Sequence, residues 1–397
     1  MSPAPLRRYR ATGADLPWTD LRRSHPGVAM EGYFWRVTDA PTGRVLIALI
    51  GVNRGPDGPW ATVGLASSDG FLRTDGLPGA WAAPHGVGAA GGRAAGVGGA
   101  DAATFRGSDR HLHARLGADA GVDLVLQPLA PWPRRPFGGS SVFQSVPRLN
   151  QYWHPWLLCG RATGTVRLGS ATWHLDGAQV YAEKNWGAEG FPDAWWWGQA
   201  HGFAEPGATV AFAGGQVHAR ALGMTLRTEV TALVVRLPDG RVLRLGDPGT
   251  TPVRARVGDD RWELSGTDRV RGWGVEVSAG ARLEEAHVLP VPLPSQGRNI
   301  PGALEHLTGT LHVEVSRRGR RVWAGTSSLA GLEHGGLRRA EAELARRGGE
   351  PVPAPAQGRG SPDRPDPTCV SAWGRPTASR AGACRRPGPS RGPSRHP

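Results

Sequence analysis

Short runs of alternating apolar and polar residues, punctuated by turn signals, dominate this chain. Arg44–Val52 (RVLIALIGV) is a continuous apolar run of the length of one buried strand. Thr165–Leu168 and Ala171–Leu175 alternate, and Asp176-Gly177 predicts a hairpin turn into Ala178–Lys184. Glu229–Leu237 and Arg241–Leu245 flank Pro238-Asp239-Gly240, and Val253–Val257 and Arg261–Leu264 flank Asp259-Asp260. Trp273–Val277, Thr310–Val315 and Arg321–Ser327 continue the pattern. The first helical pattern is Leu337–Arg347 (LRRAEAELARR). Turn signals spaced at roughly ten residues, with no long helix before them, predict an all-β sandwich or antiparallel barrel.

Gly86–Ala100 is glycine-rich and reads as a loop. It contains a literal GxGxxG at Gly86, Gly88 and Gly91, but no strand leads into it and no helix pattern follows, so a dinucleotide site is rejected. From Gly348 onward eleven prolines and no apolar periodicity predict disorder, because such a segment cannot bury enough surface to offset its ordering entropy.

Composition narrows the chemistry. Of 47 basic residues, Lys184 is the single lysine. The Arg/Ala/Gly/Pro bias reads as that of a GC-rich genome. The net charge is +13, and the segment after Arg347 holds eight arginines against Glu350, Asp363 and Asp366. The remaining positive charge would suit an anionic membrane surface or an acidic partner. Of the three cysteines, Cys369 and Cys384 lie in the tail, which leaves Cys159 without a partner in the body. MSPAPLRRYRATGADL lacks an apolar leader, and no apolar run is long enough to span a bilayer. The expected location is cytoplasmic, with peripheral membrane contact allowed. HExxH, CxxC, Walker-lysine and GxSxG patterns are missing. His111-Leu112-His113 places two imidazoles on one strand face without a third clustered ligand, so no metal is expected. Aromatics do not interleave with a basic patch, so no nucleic acid is expected.

The densest chemistry lies in Tyr181–Phe203, YAEKNWGAEGFPDAWWWGQAHGF. Side chains alternate along a strand, so Trp195, Trp196 and Trp197 cannot share one face: two should point inward and one outward. With Trp186 they fit either ordinary core filling or a π-lined pocket for a large hydrophobic ligand. An acid in such a pocket would have a raised pKa and could act as a proton donor. Glu183 and Glu31 are the candidates, and the ordinary reading of Glu31 is a pair with Arg36 or another arginine.

The block Glu183-Lys184-Asn185-Trp186-Gly187, with Phe191-Pro192, Trp195–Trp197 and Gln199, resembles the strongest motif of the tocopherol cyclases of plants and cyanobacteria. Met30–Val37 (MEGYFWRV) is similar to that family's N-terminal segment, and Phe105–Leu112 to its middle region. Gly309-Thr310-Leu311 and Ser327–Glu333 are similar to its closing strands. The resemblance spans roughly residues 25–336. It implies two consecutive lipocalin-like antiparallel β-barrels or sandwiches, here divided as 1–155 and 156–336, followed by a short helix and a disordered tail over 337–397. It also implies cyclisation of a prenylated hydroquinone to a chromanol without a cofactor. Glu183 would protonate the alkene, Lys184 would tune it, and Lys184 with Asn185 would orient the quinol oxygens. Glu31, Tyr33, Trp35, Tyr181, Trp186, Trp195, Trp196, Trp197 and Gln199 would bind the substrate. Lys184 beside Glu183 would oppose its use as an acid unless the two point to opposite strand faces; were Glu183 salt-bridged, Glu31 or Asp193 would be the better acid. Hydration of an isoprenoid double bond and non-catalytic binding of an isoprenoid or other lipid are the alternatives. Oligomeric state is left open.

Overall fold

A computed structural model describes residues 4–16, 19–92, 103–133, 139–221 and 224–348. Helix α1 (Ala4–Arg10) precedes the strands and α2 (Leu337–Arg346) follows them. The first sheet comprises β1 (Met30–Asp39), β2 (Arg44–Gly55), β3 (Gly58–Ser67), β4 (Leu72–Pro78), β5 (Ala80–Ala82), β6 (Gly88–Gly91), β7 (Thr104–Ser108), β8 (His111–Arg115), β9 (Ala120–Pro131), β10 (Tyr152–Leu168) and β11 (Ala171–Gly187). The second comprises β12 (Trp195–Ala200), β13 (Thr209–Ala221), β14 (Met224–Arg236), β15 (Val242–Leu245), β16 (Val253–Val257), β17 (Arg261–Asp268), β18 (Trp273–Gly280), β19 (His287–Leu293), β20 (Arg298–Arg317) and β21 (Arg320–Gly335). All pairings are antiparallel, which short turns permit.

Each sheet curls around its own apolar core. In the first, Trp35, Val37, Ile50, Val63, Phe105, Leu124 and Trp156 meet inside. Its far strands return to its near ones: a Cβ on Gly91 of β6 would fall 2.6 Å from that of Ala61 in β3. In the second, Phe212, Leu233, Trp262, Val275 and Val313 form the interior. Two consecutive antiparallel barrels, as the resemblance implies, are therefore present. Their junction falls at residues 188–194, between β11 and β12. A boundary at 155/156 would cut through β10, whose pairing with β9 and β11 ties Tyr152–Leu168 to the first sheet.

Two local expectations are corrected. Asp176-Gly177 does not reverse the chain; β11 runs straight through it, and the reversal comes at Gly169-Ser170. The pair Asp176-Gly177 instead faces the single residue Thr163 as a bulge, with Gly177 at φ +75° donating its N–H to the Thr163 hydroxyl. Part of the glycine-rich loop, Gly88–Gly91, is a short strand. The C-terminal helix forms where its pattern placed it, and the segment read as a disordered tail lies outside the described residues. Among the described residues no helix is long and apolar enough to cross a membrane.

Residues of β1, β2, β3, β10 and β11 pack against residues of β12, β13, β19 and β20 of the second barrel. Arg36 of β1 holds this seam. It is completely buried and donates to Gln199 Oε1 (2.9 Å), the Leu307 carbonyl (2.8 Å) and the Leu329 carbonyl (2.6 Å).

Candidate active site

The strand register decides which residues meet. Phe34 pairs with Glu183 and Tyr33 with Lys184 across β1 and β11. Cross-strand partners share a face and neighbours alternate. Tyr181, Glu183 and Asn185 therefore face the second barrel with Phe34, while Lys184 and Trp186 face away from it with Glu31.

Between the two barrels lies a cavity of about 180 Å³. Its apolar walls include Phe34, Leu49, Phe191, Trp195, Trp197 and Val291, and its polar positions include Glu183, Asn185, Glu305 and Glu333. Of the residues expected at the site, Tyr33, Glu183, Asn185, Trp195, Trp196 and Trp197 border it. The tryptophan triplet alternates as expected: Trp195 and Trp197 turn to the seam and Trp196 packs on the core of the second barrel. Trp195 lies flat on Gly335 of β21, where a Cβ would stand 1.6 Å from its ring.

Glu183 has an asymmetric carboxyl. Its Oε2 accepts from Tyr181 OH (2.6 Å), Trp153 Nε1 (2.7 Å) and Trp197 Nε1 (2.7 Å). Burial raises its pKa to about 7, and the three donors hold it from rising further. A group so balanced is protonated in a large fraction of molecules near neutrality, and its conjugate base is already solvated by protein. Asn185, two residues along the same face, borders the cavity with an Oδ1 that has no hydrogen-bond partner.

Lys184 is not part of this constellation. Its Nζ meets Glu31 Oε2, His25 Nδ1 and the Arg23 carbonyl, each at 2.8 Å, with no exposed side-chain surface. The network continues from His25 Nε2 to Asp15 (2.6 Å) and from Asp15 to Arg10. Burial and the Lys184 charge push His25 well below its usual pKa, so its neutral Nδ1 accepts from the ammonium. The tuning role expected for Lys184 is thereby overturned: the lysine points to the opposite strand face. Glu31 is ion-paired with Lys184 and accepts from the His25 amide (2.7 Å), which removes it as a free acid. Its partner is the lysine rather than Arg36. Trp186 belongs to this second face, stacked between His25 (4.4 Å) and Tyr152 (5.4 Å) and donating to the Gly13 carbonyl. Trp35 packs in the core of the first barrel, Tyr181 stands behind Glu183, and Gln199 is held by Arg36. None of these four borders the cavity. Asp193 is exposed, and His111 and His113 are exposed on β8. Among the described residues no cluster of three metal-ligating side chains occurs.

Two carboxyls in the cavity were missed by the sequence reading. Glu305 and Glu333 are cross-strand partners on β20 and β21, and their side chains interact, although neither Glu305 oxygen makes a hydrogen bond of good geometry. Trp195 Nε1 donates to Glu333. Burial pushes Glu333 up to about 7 and, with the neighbouring Glu333, holds Glu305 well above the usual carboxylate range. Arg36, close to Glu305, draws it back toward ionisation, and burial lowers Arg36 itself to about 10. Glu333 ends the quoted segment Ser327–Glu333, but a lone glutamate in an alternating strand reads as a solvent-facing residue.

A family described as "Tocopherol cyclase-like" matches residues 103–336. A protein of Oryza sativa subsp. japonica described as "Probable tocopherol cyclase, chloroplastic" is 28% identical over 201 residues, covering 48% of this chain and 41% of that protein. The chain thus spans less than half the length of this relative. The crystal structure of CghA aligns at a TM-score of 0.49 and 13% identity, covering 78% of this chain and 88% of that one. That of an AttH protein from Nitrosomonas europaea aligns at 0.44 and 14% identity, covering 82% and 99%. With the family match covering more than half of its residues, the chain belongs to the tocopherol cyclase-like family.

Proposed function

We propose that this protein is an isomerase that closes a prenylated hydroquinone to a chromanol, with Glu183 as proton donor. The observation that carries the reading is the Glu183 carboxyl: buried in an apolar cavity, with one oxygen saturated by three donors. The other oxygen is left for the substrate. Its proton passes to the trisubstituted alkene next to the quinol ring, and the conjugate base stays on the oxygen held by Tyr181, Trp153 and Trp197. Positive charge then develops on the tertiary carbon. Aromatic faces such as Trp197 and Phe34 stabilise a desolvated cation by about 0.5–2 kcal/mol each. The neighbouring phenol oxygen attacks that carbon and closes the ring. Asn185, through its unpartnered Oδ1, accepts a hydroxyl of the quinol head group; leaving this atom empty in a buried site is costly, which favours a ligand that donates to it.

The test is the product of purified protein given a reduced phytyl-benzoquinol in detergent micelles. A chiral product of unchanged mass supports the cyclase. A product heavier by one water would replace it with a hydratase, and binding without turnover would replace it with a lipid carrier.

A further inference from the structure

Ring closure creates a proton as well as consuming one, and the cavity holds a second carboxyl placed to receive it. We propose that Glu333 is the catalytic base that takes the phenol proton as the new C–O bond forms. This rests on the cyclase reading above.

The geometry is that of two carboxyls held by indoles of one strand. Trp195 and Trp197 stand two residues apart on the same face of β12. Trp197 donates its indole N–H to Glu183, and Trp195 donates its own to Glu333. Trp197 is also the direct cross-strand partner of Glu333, which in turn is the partner of Glu305. Direct partners have Cβ atoms roughly 5 Å apart. Glu333 therefore flanks the indole that also holds Glu183, and all three carboxyls border the same cavity.

The groups facing Glu333 set its charge. They are Glu305 on β20, Glu183 on β11, the Trp195 indole, and, beyond Glu305, the Arg36 guanidinium on β1. Two adjacent carboxyls cannot both ionise readily, so the pair holds at most one charge. The Trp195 indole N–H, which donates to Glu333, favours an anion on that member of the pair. The anion of Glu333 and the anion of Glu183 disfavour each other, so the cavity prefers one charge at a time. That is the arrangement the reaction uses. The Glu183 O–H bond breaks and a C–H bond forms at the alkene. A phenol lone pair forms the C–O bond, and the phenol O–H proton moves to Glu333. The substrate neither gains nor loses a proton overall. The enzyme is left with Glu183 ionised and Glu333 protonated, and return of one proton to Glu183 resets it.

The test is turnover in D2O by wild type, Glu333→Gln and Glu183→Gln, reading chromanol and the deuterium content of recovered quinol. Glu333→Gln should cut chromanol formation by about 100-fold or more, while recovered quinol still gains deuterium in its prenyl group, because protonation by Glu183 continues and reverses. Glu183→Gln should lose both. Should Glu333→Gln fail to fold, Glu333→Asp takes its place and should lower cyclisation more than exchange. Cyclisation by the folded variant within about threefold of wild type, against the 100-fold or larger effect typical of a lost general base, would overturn the inference and leave the cyclase reading standing. So would loss of exchange together with cyclisation. No chromanol from wild type would overturn both.

Discussion

Glu183 and Lys184 are adjacent in sequence and stand on opposite faces of one strand, each completing a different buried constellation. Glu183 receives three neutral donors at the seam between the barrels, while Lys184 ties the first barrel to the N-terminal segment through Glu31, His25 and the Arg23 carbonyl. The separation lets the acid keep a high pKa one residue from the only lysine of the chain.

This division makes Lys184 a stability residue. Lys184→Met leaves Glu31 as a buried anion without its cation, which costs about 3–5 kcal/mol. Lys184→Arg should also destabilise, because a planar fork replaces a compact ammonium held by three ligands at 2.8 Å. Thermal melts of the purified variants check this. Melting temperatures equal to wild type would show that the network does not hold the N-terminal segment.

Arg36 should matter for the seam. Arg36→Leu leaves the Leu307 and Leu329 carbonyls without a donor and Glu305 without its nearby cation. The expected cost is about 1–3 kcal/mol for each orphaned carbonyl, read as a lowered urea midpoint.

Stability should depend on pH through Glu183. Its folded pKa of about 7 lies above the ordinary glutamate value of 4.5, so the native state binds the extra proton between them. That contribution is fully present below about pH 4.5 and is lost as pH rises through about 7. Glu183→Gln mimics the protonated form and escapes the loss. From pH 5 to pH 8 the variant should therefore gain up to about 3 kcal/mol on wild type. Urea unfolding of both proteins at the two pH values measures it, and parallel pH dependences would contradict the assignment.

Trp197→Phe should move the pH profile of turnover. The indole N–H stabilises the Glu183 carboxylate, and removing it raises the Glu183 pKa further. Because the protonated form is the active one, the alkaline limb should shift upward by roughly one pH unit. An unmoved limb would mean that a different group limits the rate there.

Much of the fold was legible because its signals are local. Alternation and turn residues placed the hairpins of the second barrel, and the apolar run at Arg44–Val52 gave the centre of β2. Asp176-Gly177 misled because the same two residues serve a hairpin turn or a bulge, and only the register against Thr163 separates them. Glu183 was legible from its aromatic surroundings. The roles of Lys184, Glu31 and Trp186 were not, since strand parity fixes the face but not what lies on it. Glu305 and Glu333 were hidden for another reason. Glu305 is brought to the cavity by pairing across residues 303–335 and by packing of one barrel on the other, neither of which leaves a local trace.

The central claim is that the Glu183 proton drives the reaction, and a single comparison tests it most directly. Wild type and Glu183→Gln would be given the same prenylquinol, with binding read from tryptophan fluorescence and turnover from chromanol formed. The account predicts comparable affinity and a kcat lower by about 100-fold or more, the scale of a lost general acid. Turnover by Glu183→Gln within about threefold of wild type, far short of that scale, would contradict it.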